Sequence, residues 1–457
     1  MRPVLTSAEM GAVDEEAQHR VGLETLVARA GFAVARAAIG CMGGTYGRRV
    51  VVVAGRGHNG DDGRVAASLL ARRGARVTVY PAAEAPDELP PCDLVVDAAY
   101  GTRFHGDYRA PRPPDGAFVV AVDIPSGVVA DTGVATPGAV RADVTVTFGA
   151  LKPGLLFGRG PALAGAVFVE PIGLDPGTPA QHLVEDDDLR WLKERDRQGN
   201  KWDAAVYVVA GSPGMLGAAA LAANGAIRAG AGMVRLGSPG VDPGTIPVVE
   251  AVARPLPPAG WAGSVLTELV RCQALVVGPG LGRSEETVRG IRELVAQAEV
   301  PLVIDADGLF ALGAASEAAR IVEVRRQPTV ITPHDGEYAR LAGSPPGDDR
   351  LAATRELARK VGAIVLLKGP ATVVAAPSGE ALIAAAGSSR LSTAGTGDVL
   401  SGVVGAFLAR GVGPLRAAGL AAHVHGRAAQ IGLSEGLEAS DLPLLVASVL
   451  SAAARRA

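Results

Sequence analysis

Cysteine is scarce in this chain of 457 residues, which contains three, Cys41, Cys92 and Cys272, at widely separated positions. No pair of cysteines and no Cys/His cluster has the spacing of a disulfide framework or of a zinc site. The first residues turn acidic where a signal peptide would become apolar, so we expect no secretion signal. We therefore expect a reducing, cytoplasmic location.

An excess of basic residues is also lacking, because 44 Lys and Arg stand against 47 Asp and Glu, for a formal net charge of -3. This balance gives no general attraction to nucleic acid or anionic lipid, so we expect neither as a partner. With 48% apolar and 20% charged residues, the chain has the composition of a globular protein rather than a disordered one. The 60 glycines follow no G-X-Y period, and we expect them in turns and ligand loops.

One uncharged stretch, residues 204–227, is long enough to span a bilayer. The segment Gly-Ser-Pro-Gly at 211–214 and Asn224 interrupt it, and Ala and Gly dominate its composition. We therefore predict a strand, a loop and a helix in a soluble core, and no membrane partner.

Two α/β domains in tandem are predicted, with a boundary in the polar segment between Pro171 and Lys201. We place the first domain with its linker at 1–190 and the second at 191–457, and we interpret the acidic run 185–188 as a solvated helix start. A leading helical segment comes first, with Leu23, Leu26, Val27, Phe32 and Val34 on helical spacing. A helix at 65–71 and a Rossmann-like, doubly wound parallel sheet follow, with strands at 50–53, 76–80, 94–96, 118–122, 144–148 and 167–169.

The second half again alternates short apolar runs with helical patterns, and no repeat of 20 to 50 residues is visible. Its last two predicted strands are separated by a turn sequence and should form a hairpin at one end of the sheet. The predicted strands are 206–209, 233–236, 274–277, 302–304, 330–331, 364–367, 372–374 and 382–383.

In the first half, the glycine-rich loop GRGHNGDDGR at 55–64 follows a strand of four valines and opens a helix. Such a loop either binds a phosphate on free helix amides or is a tight turn without a ligand. Asp97, Asp123 and Ser126 follow later strands, and with Asn59 they should share the carboxyl edge of the sheet. Their oxygens suit K⁺, Na⁺ or Mg²⁺ rather than zinc.

The order of the Asn loop, VDAAYGT, VDIPSGVVADTG and FGALKPG resembles the epimerase family that acts on hydrated NADH and NADPH, over residues 1–175. The resemblance implies a K⁺ ion held by Asn59, Asp97 and Ser126, with Asp123 at the catalytic centre. Lys152 would lie near the site or have a structural role. The resemblance also implies contacts to the hydrated nucleotide from two loops and Asp123, the loop residues being His58, Asn59, Gly60, Asp61, Asp62, Gly101, Thr102, Arg103, Phe104, His105, Gly106 and Asp107.

Two residues depart from the N-N-G-G-D-G pattern typical of that family, His58 and Asp61. A carboxylate in a phosphate-facing loop repels the ligand, so Asp61 should turn outward or pair with Arg56 or Arg64. His58 would donate to a phosphate oxygen or remain a solvated loop residue.

In the second half, the segment STAGTGDVLSGVVGAFLARG at 392–411 places Gly395 to Asp398 directly before a helix. Amides at such a helix start form an anion hole, and a carboxylate at its mouth can deprotonate a hydroxyl that attacks a bound phosphoryl group. The alternative is a capped helix with a glycine-rich entry. We predict phosphoryl transfer with Asp398 as the base.

The G-T-G-D signature is typical of the ribokinase superfamily. Together with VVGPGLG, VIDADGL, TPHDGEYARL and LLKGPATVV, it resembles the dehydratase that repairs hydrated NAD(P)H, over residues 200–435. The resemblance implies that the hydrated nicotinamide contacts Ala218, Gly280, His334 and Asp398. It implies that the adenine nucleotide lies along Lys368, Gly369, Pro370, Ala371 and Thr372 and at Gly395, Thr396 and Gly397.

The resemblance implies ADP, as in most bacterial members, or ATP, with Mg²⁺ as a further cofactor. His334 would bind substrate or cap the next helix with Asp335, which replaces a proline of the family pattern; Ser392, Thr393 and Ala394 also depart from that pattern. Asp305 and Asp307 would orient Mg²⁺ or close a strand. His423 and His425, two residues apart in a helix, do not share a face and are not expected to share a metal.

The resemblance implies that Asp398 deprotonates the C6 hydroxyl of hydrated NAD(P)H, that this oxygen takes a phosphoryl group from ADP to leave AMP, and that phosphate then departs. An epimerase on the same chain would supply the configuration that the dehydratase accepts. Two alternatives stay open: a hydroxymethylpyrimidine or sugar kinase, and a non-catalytic nucleotide-binding module at the N-terminus. Apolar helices near the C-terminus could form the interface of a homo-oligomer.

Overall fold

The structure is a computed structural model that describes residues 1–192 and 198–455. The chain separates into two compact units, Arg2–Pro179 and Ala180–Ala457, with Met1 counted in the second. Residues 180–190, which the sequence placed with the first domain as a linker, therefore lie in the second unit.

The first unit contains a six-stranded parallel sheet in the order β3-β2-β4-β5-β6-β7, together with a short strand β1 that bridges to Leu151. Every strand predicted in this half is confirmed. The elements are β1 (Arg2–Val4), α1 (Ser7–Val21), α2 (Leu23–Met42), β2 (Arg49–Ala54), α3 (His58–Arg72), β3 (Arg76–Pro81), β4 (Leu94–Ala98), β5 (Phe118–Val122), β6 (Val144–Phe148), α4 (Gly160–Ala164) and β7 (Ala166–Glu170).

Alternate residues of the first sheet point to its two faces, and both faces are covered. Val50 and Val52 pack with helices α2 and α3, whereas Val51 and Val53 pack with connecting segments that contribute Leu89 and other apolar residues. Long connections without a helix follow β4 and β5 in the described chain. These connections leave the carboxyl edge of the sheet open to loops that carry polar residues.

Helix α2 is long and apolar enough to cross a membrane by length and composition alone. It packs against α3 so closely that a Cβ atom on Gly31 would lie 2.5 Å from Cγ1 of Val65. The predicted helix is confirmed, but Phe32 is 53% exposed while Leu26 and Val34 are buried. The face around Gly31 therefore forms the core contact.

The second unit is built on a larger sheet whose strands follow the order β8-β17-β16-β15-β14-β13-β12-β9-β10-β11. Neighbouring strands are parallel except for β15 with β16 and β16 with β17. The elements are β8 (Gln181–Leu183), β9 (Ala205–Val209), α5 (Leu216–Arg228), β10 (Met233–Pro239), β11 (Val252–Leu256), α6 (Ala262–Leu269), β12 (Ala274–Val277), α7 (Glu285–Gln297), β13 (Leu302–Ile304), α8 (Asp307–Leu312), α9 (Ala315–Glu323), β14 (Thr329–Ile331), α10 (Asp335–Ala342), α11 (Arg350–Val361), β15 (Ile364–Leu367), β16 (Thr372–Ala375), β17 (Ala381–Ala384), α12 (Thr396–Ala409), α13 (Pro414–Ile431) and α14 (Leu442–Ala454).

All eight strands predicted in this half are present, and the stretch 204–227 is strand, loop and helix as expected. The hairpin of β16 and β17 is confirmed, but its predicted position at the end of the sheet is wrong, because β8 pairs in parallel with β17. The acidic run does open a short helix, yet Asp188 is 1% exposed and pairs with the terminal ammonium of Met1. The predicted helix start is confirmed and Asp187 is exposed, but Asp188 is not solvated.

Helix α12 is almost wholly buried and is set against α5 by glycines. A Cβ atom on Gly402 would lie 2.0 Å from the carbonyl oxygen of Ala222, and one on Gly225 would lie 2.4 Å from that of Val399. Only residues without a side chain permit this approach. The contact fixes where the first turn of α12, with Asp398, stands in the unit.

Candidate active sites

A cavity of about 730 Å³ opens in the first unit where β2, β4 and β5 end. Side chains from α1, α2 and α3 complete its wall. Its lining includes these residues that the sequence placed in the site: His58, Asn59, Asp62, Gly101, Thr102, Arg103, Phe104, Asp123 and Lys152. Gly60, Asp61, His105, Gly106 and Asp107 lie outside this lining.

In the glycine-rich loop, backbone segments approach each other too closely for side chains at Gly55 and Gly60. A Cβ atom on Gly55 would lie 2.0 Å from the carbonyl oxygen of Ala99, and one on Gly60 would lie 2.0 Å from that of Gly55. No side chain caps α3 at Gly57, so its first amides remain available to an anion in the cavity. Asp61 pairs with Arg64, Oδ1 to Nη1 at 2.9 Å, which is one of the outcomes predicted for this departure.

Asp97, near the end of β4, and Ser126, in the loop after β5, are in direct contact. The amide and hydroxyl of Ser126 donate to the two carboxylate oxygens of Asp97 at 2.8 and 2.7 Å. Burial raises the pKa of Asp97 to about 6, although these bonds oppose the shift. Asn59 lies against Gly101, and its buried Nδ2 has no partner among the described residues.

Asp123 stands at the end of β5 with a φ of 67°, a left-handed conformation that is rare for a residue with a side chain. The ammonium of Lys152 donates to its Oδ1 at 2.6 Å, and the hydroxyl of Thr147 donates to the same oxygen at 3.1 Å. Lys152 is 1% exposed and also donates to the carbonyl of Phe148. The lysine thus fixes the predicted catalytic carboxylate at the cavity wall.

Sequence reasoning missed Asp14, which lines the same cavity from α1. Burial raises its pKa, with the charge of Asp123 as the next cause. Within the acidic run of α1, position 14 shares a helix face with Met10 and Ala17, both buried. That spacing is the signal that could have found it.

In the second unit, the first turn of α12 brings together the residues expected for phosphoryl transfer. Gly395 has a φ of 91°, and a Cβ atom on Gly397 would lie 3.3 Å from Nζ of Lys368. Thr396 donates to the carbonyl of Leu391 at 2.8 Å and so fixes the entry loop. The turn offers bare backbone beside a lysine.

Asp398 shares this place with a network of charges. Lys368 donates to Oδ1 of Asp305 at 2.9 Å and lies 3.7 Å from Glu337, while Ser401 donates to the other oxygen of Asp305. Burial, then the charge of Asp305, raises the pKa of Asp398 to about 7, which Lys368 partly opposes. A base that gains its proton near neutral pH fits the predicted role.

The pKa of Lys368 is raised overall. Burial acts to lower it, but the negative charges of Asp305 and Glu337 outweigh that effect. The lysine therefore stays positive beside the helix start and can attract a phosphate.

His334 caps α10, because its Nδ1 accepts from the amides of Gly336 and Glu337 at 3.0 and 3.3 Å. Its ring is largely exposed. Asp335 pairs with Arg350, whose Nη2 also donates to the carbonyl of Lys368 at 2.9 Å. Arg350 therefore neutralises the charge of Asp335, the residue that replaces the family's proline, and also holds the start of the segment 368–372. Our sequence analysis did not predict a role for this arginine.

Gly280 and Ala218 lie together, since a Cβ atom on Gly280 would lie 2.8 Å from that of Ala218. Asp307 accepts from the amide of Gly282 at 2.9 Å and from Nε of Arg283 at 2.8 Å. These bonds hold the loop after β12, which carries Gly280, near the start of α8.

The two late histidines have separate partners. His423 contacts Asp186 at 2.9 Å, and His425 bonds the backbone of Thr396. Within the described residues, no group of three or more His, Cys, Asp and Glu could hold a metal ion.

Comparison with known proteins covers both units. A family model described as NAD(P)H-hydrate dehydratase matches residues 206–449, and one described as YjeF-related protein N-terminus matches 23–89 and 80–154. The chain is 35% identical to the bifunctional NAD(P)H-hydrate repair enzyme Nnr of Salinibacter ruber, over 94% of this chain and 92% of that protein. With the Escherichia coli protein of the same name the identity is 34%, over 84% and 81%.

Solved structures match the second unit. An ADP/ATP-dependent NAD(P)H-hydrate dehydratase from Bacillus subtilis, co-crystallized with ATP/Mg²⁺, is 28% identical, with a TM-score of 0.50 over 59% of this chain and 95% of that chain. A ribokinase-like superfamily protein from Enterococcus faecalis has a TM-score of 0.53 at 20% identity, over 61% of this chain and 98% of that chain. The ribokinase-like fold predicted for the second domain is confirmed.

Proposed function

Because the chain belongs to the family of bifunctional NAD(P)H-hydrate repair enzymes, we propose how its two units carry out the repair. The enzyme acts on NADH and NADPH that have added water at C6 of the nicotinamide ring. The first unit interconverts the R and S forms of this hydrate, and the second unit dehydrates the S form at the expense of an adenine nucleotide.

The position of Asp398 carries the assignment of the dehydratase. Its carboxylate lies in the first turn of α12, where the amides of Gly395 and Gly397 can bind a phosphoryl group and Lys368 can offset its charge. Asp398 takes the proton of the C6 hydroxyl as that oxygen attacks the terminal phosphorus. Phosphate then leaves C6 as the ring nitrogen donates its electron pair, and loss of a proton from C5 restores NAD(P)H.

The adenine nucleotide lies along 368–372, a segment that Arg350 holds through a hydrogen bond to the carbonyl of Lys368. Mg²⁺ accompanies the nucleotide and would lower the charge of its phosphates. Asp305 is already bonded by Lys368 and Ser401, and Asp307 by Gly282 and Arg283. These carboxylates therefore fit Mg²⁺ as partners through its water ligands rather than as its main ligands. We propose ADP as the donor, with AMP and phosphate as products.

K⁺ is proposed for the first unit, held by Asn59, Asp97 and Ser126. The fit rests on the side-chain oxygens of these three residues, which are the ligands that hard cations such as K⁺ prefer. Asp97 is a buried acid with hydrogen bonds but no cationic partner among those residues, and a bound cation would stabilise its charged form. No hydrogen bond joins Asn59 to Asp97 or Ser126 in the described chain.

The test supplies separated R and S forms of hydrated NADH to the full chain with Mg²⁺ and either ADP or ATP, in KCl or choline chloride. We expect recovery of NADH with release of phosphate in equal amount, faster with ADP, and conversion of the R form that needs K⁺. An Asp123→Ala chain should leave the R form unused. A stable phosphorylated product would support the alternative of a small-molecule kinase.

We further propose a cytoplasmic location, which the three free cysteines support, and a homo-oligomer in solution. The support for the oligomer is the apolar helix α14, where Leu444 is 60% exposed.

A further inference from the structure

Three carboxyl groups from separate elements line the cavity of the first unit: Asp14 from α1, Asp62 from α3 and Asp123 from the end of β5. Asp123 has a cationic partner, Lys152, at 2.6 Å. Asp62 is 7% exposed, and its carboxyl group forms no hydrogen bond or ion pair with another described residue. A buried carboxyl group that faces a cavity without a partner calls for a role other than structure.

Electrostatics give Asp62 and Asp123 different charges. Burial raises the pKa of Asp62 to about 8, with further contributions from the charges of Asp123, Asp61 and Asp14. The residues of α2 that line the same cavity, Leu23, Leu26, Val27 and Ala30, carry no charge. Asp62 therefore keeps a proton at neutral pH, whereas Lys152 stabilises Asp123 as an anion. Arg103, His58 and Lys152 act on Asp14 rather than directly on Asp62.

Resting on the epimerase function proposed above, we propose that Asp62 and Asp123 are the two proton-transfer groups of epimerisation. The carboxyl of Asp62 gives its proton to the departing C6 hydroxyl, and the carboxylate of Asp123 takes a proton from the water that adds to the opposite face. The structure thus assigns a catalytic acid to a residue expected only to contact substrate.

The step balances without a further reactant. The C6–O bond breaks, the ring nitrogen supplies the electron pair that forms N1=C6, and the hydroxyl leaves as water with the proton of Asp62. Water then forms a new C6–O bond on the other face and gives one proton to Asp123. A proton returned from Asp123 to Asp62 through water restores the resting pair, and the reverse reaction exchanges their roles.

The experiment measures interconversion of R and S hydrated NADH by the full chain, without nucleotide, from pH 6 to 9 and in H₂¹⁸O. The Asp62→Asn variant should lower kcat about a hundredfold or more, with KM changed little. The Asp115→Asn variant changes an exposed aspartate away from the cavity and serves as the matched control. Wild-type kcat should fall above about pH 8, where Asp62 loses its proton, and each epimerised molecule should carry ¹⁸O at C6.

Asp14→Asn provides a second measurement, for the case in which Asp62→Asn does not fold. It removes a negative charge that helps Asp62 keep its proton, so the alkaline fall in kcat should move to lower pH. An unmoved pH profile in this variant would contradict the proposal. So would full kcat in Asp62→Asn, a loss confined to KM, or retention of the original oxygen, which indicates ring opening instead.

The outcomes separate the two levels of inference. If the wild-type chain does not interconvert R and S hydrates, the epimerase function itself fails. If the wild type does so and Asp62→Asn keeps its kcat, the function stands and the acid assigned here is wrong.

Discussion

Each unit places a lysine beside aspartates, buried at Lys152 and partly exposed at Lys368, and the two lysines hold different partners. In the first unit Lys152 bonds Asp123, the carboxylate predicted to act on substrate. In the second unit Lys368 bonds the neighbour Asp305 and leaves Asp398 without a direct ion pair among the described residues. Asp123 has the ammonium of Lys152 at 2.6 Å, whereas burial, and then the charge of Asp305, raises the pKa of Asp398 to about 7. The same residue types therefore produce an anion in one site and a titrating base in the other.

The largest effect is expected from removing Asp398, the base without an ion-pair partner among the described residues. We expect Asp398→Asn to lower dehydratase turnover about a thousandfold, because proton removal from the attacking hydroxyl is lost. ADP binding, measured by calorimetry, should change little, since the amides of the turn and Lys368 remain. Asp348→Asn, which alters an exposed aspartate of the same unit, should match the wild type. A turnover within tenfold of the wild type in Asp398→Asn would refute the assignment.

Removing the paired lysine should affect stability. Lys152→Met leaves the charge of Asp123 uncompensated in a place where the lysine was 1% exposed. We expect a loss of about 3 kcal/mol in the free energy of unfolding of the first unit. Trp191, Trp202 and Trp261 all lie in the second unit, so calorimetry of the full chain should show one transition lowered while tryptophan fluorescence keeps its midpoint.

The double variant Lys152→Met, Asp123→Asn is the matched control for that change. It removes both charges and should recover much of the lost stability. Equal destabilisation in the single and double variants would show that the lysine contributes packing rather than charge.

The smallest effect is the pH dependence of the dehydratase. Asp398 must be ionised to accept a proton, and its pKa is raised to about 7. The kcat should therefore be level above that pH and fall about tenfold for each unit of pH below it. Asp305→Asn removes the charge that, after burial, contributes most to the shift, so its acidic limb should move to lower pH. If the pH profile of Asp305→Asn matches that of the wild type, the charge of Asp305 does not raise the pKa of the catalytic base.

Sequence patterns predicted the strands of both sheets because valine-rich runs bounded by Gly, Pro or Asp identify buried strands locally. They missed the short β1, then β8, whose residues Gln181 to Leu183 are mostly polar, and β11, which contains Arg254 and Pro255. β8 forms by pairing with β17, which is distant in sequence and lies outside any local window. β11 pairs with the preceding strand β10, but Arg254 and Pro255 interrupt the apolar run that would identify it.

The site was predictable where a motif supplies both backbone and side chain, as at Gly397 and Asp398. Asp14 and Arg350 were not found, because they reach their sites from helices outside any motif. The competing roles of His334 could be weighed only with coordinates, which show its ring nitrogen bonded to the start of α10. The types of the site residues could be read from the sequence, but the distances between residues far apart in the chain could not.

The left-handed backbone at Asp123 has a consequence for attempts to make this enzyme sturdier. A residue with a side chain costs about 1 kcal/mol or more in that conformation, a cost that glycine does not incur. Replacement by glycine would relieve that cost but would leave the ammonium of Lys152, which is 1% exposed, without its carboxylate. The second effect is the larger, so selection for heat resistance alone should retain the aspartate together with its lysine.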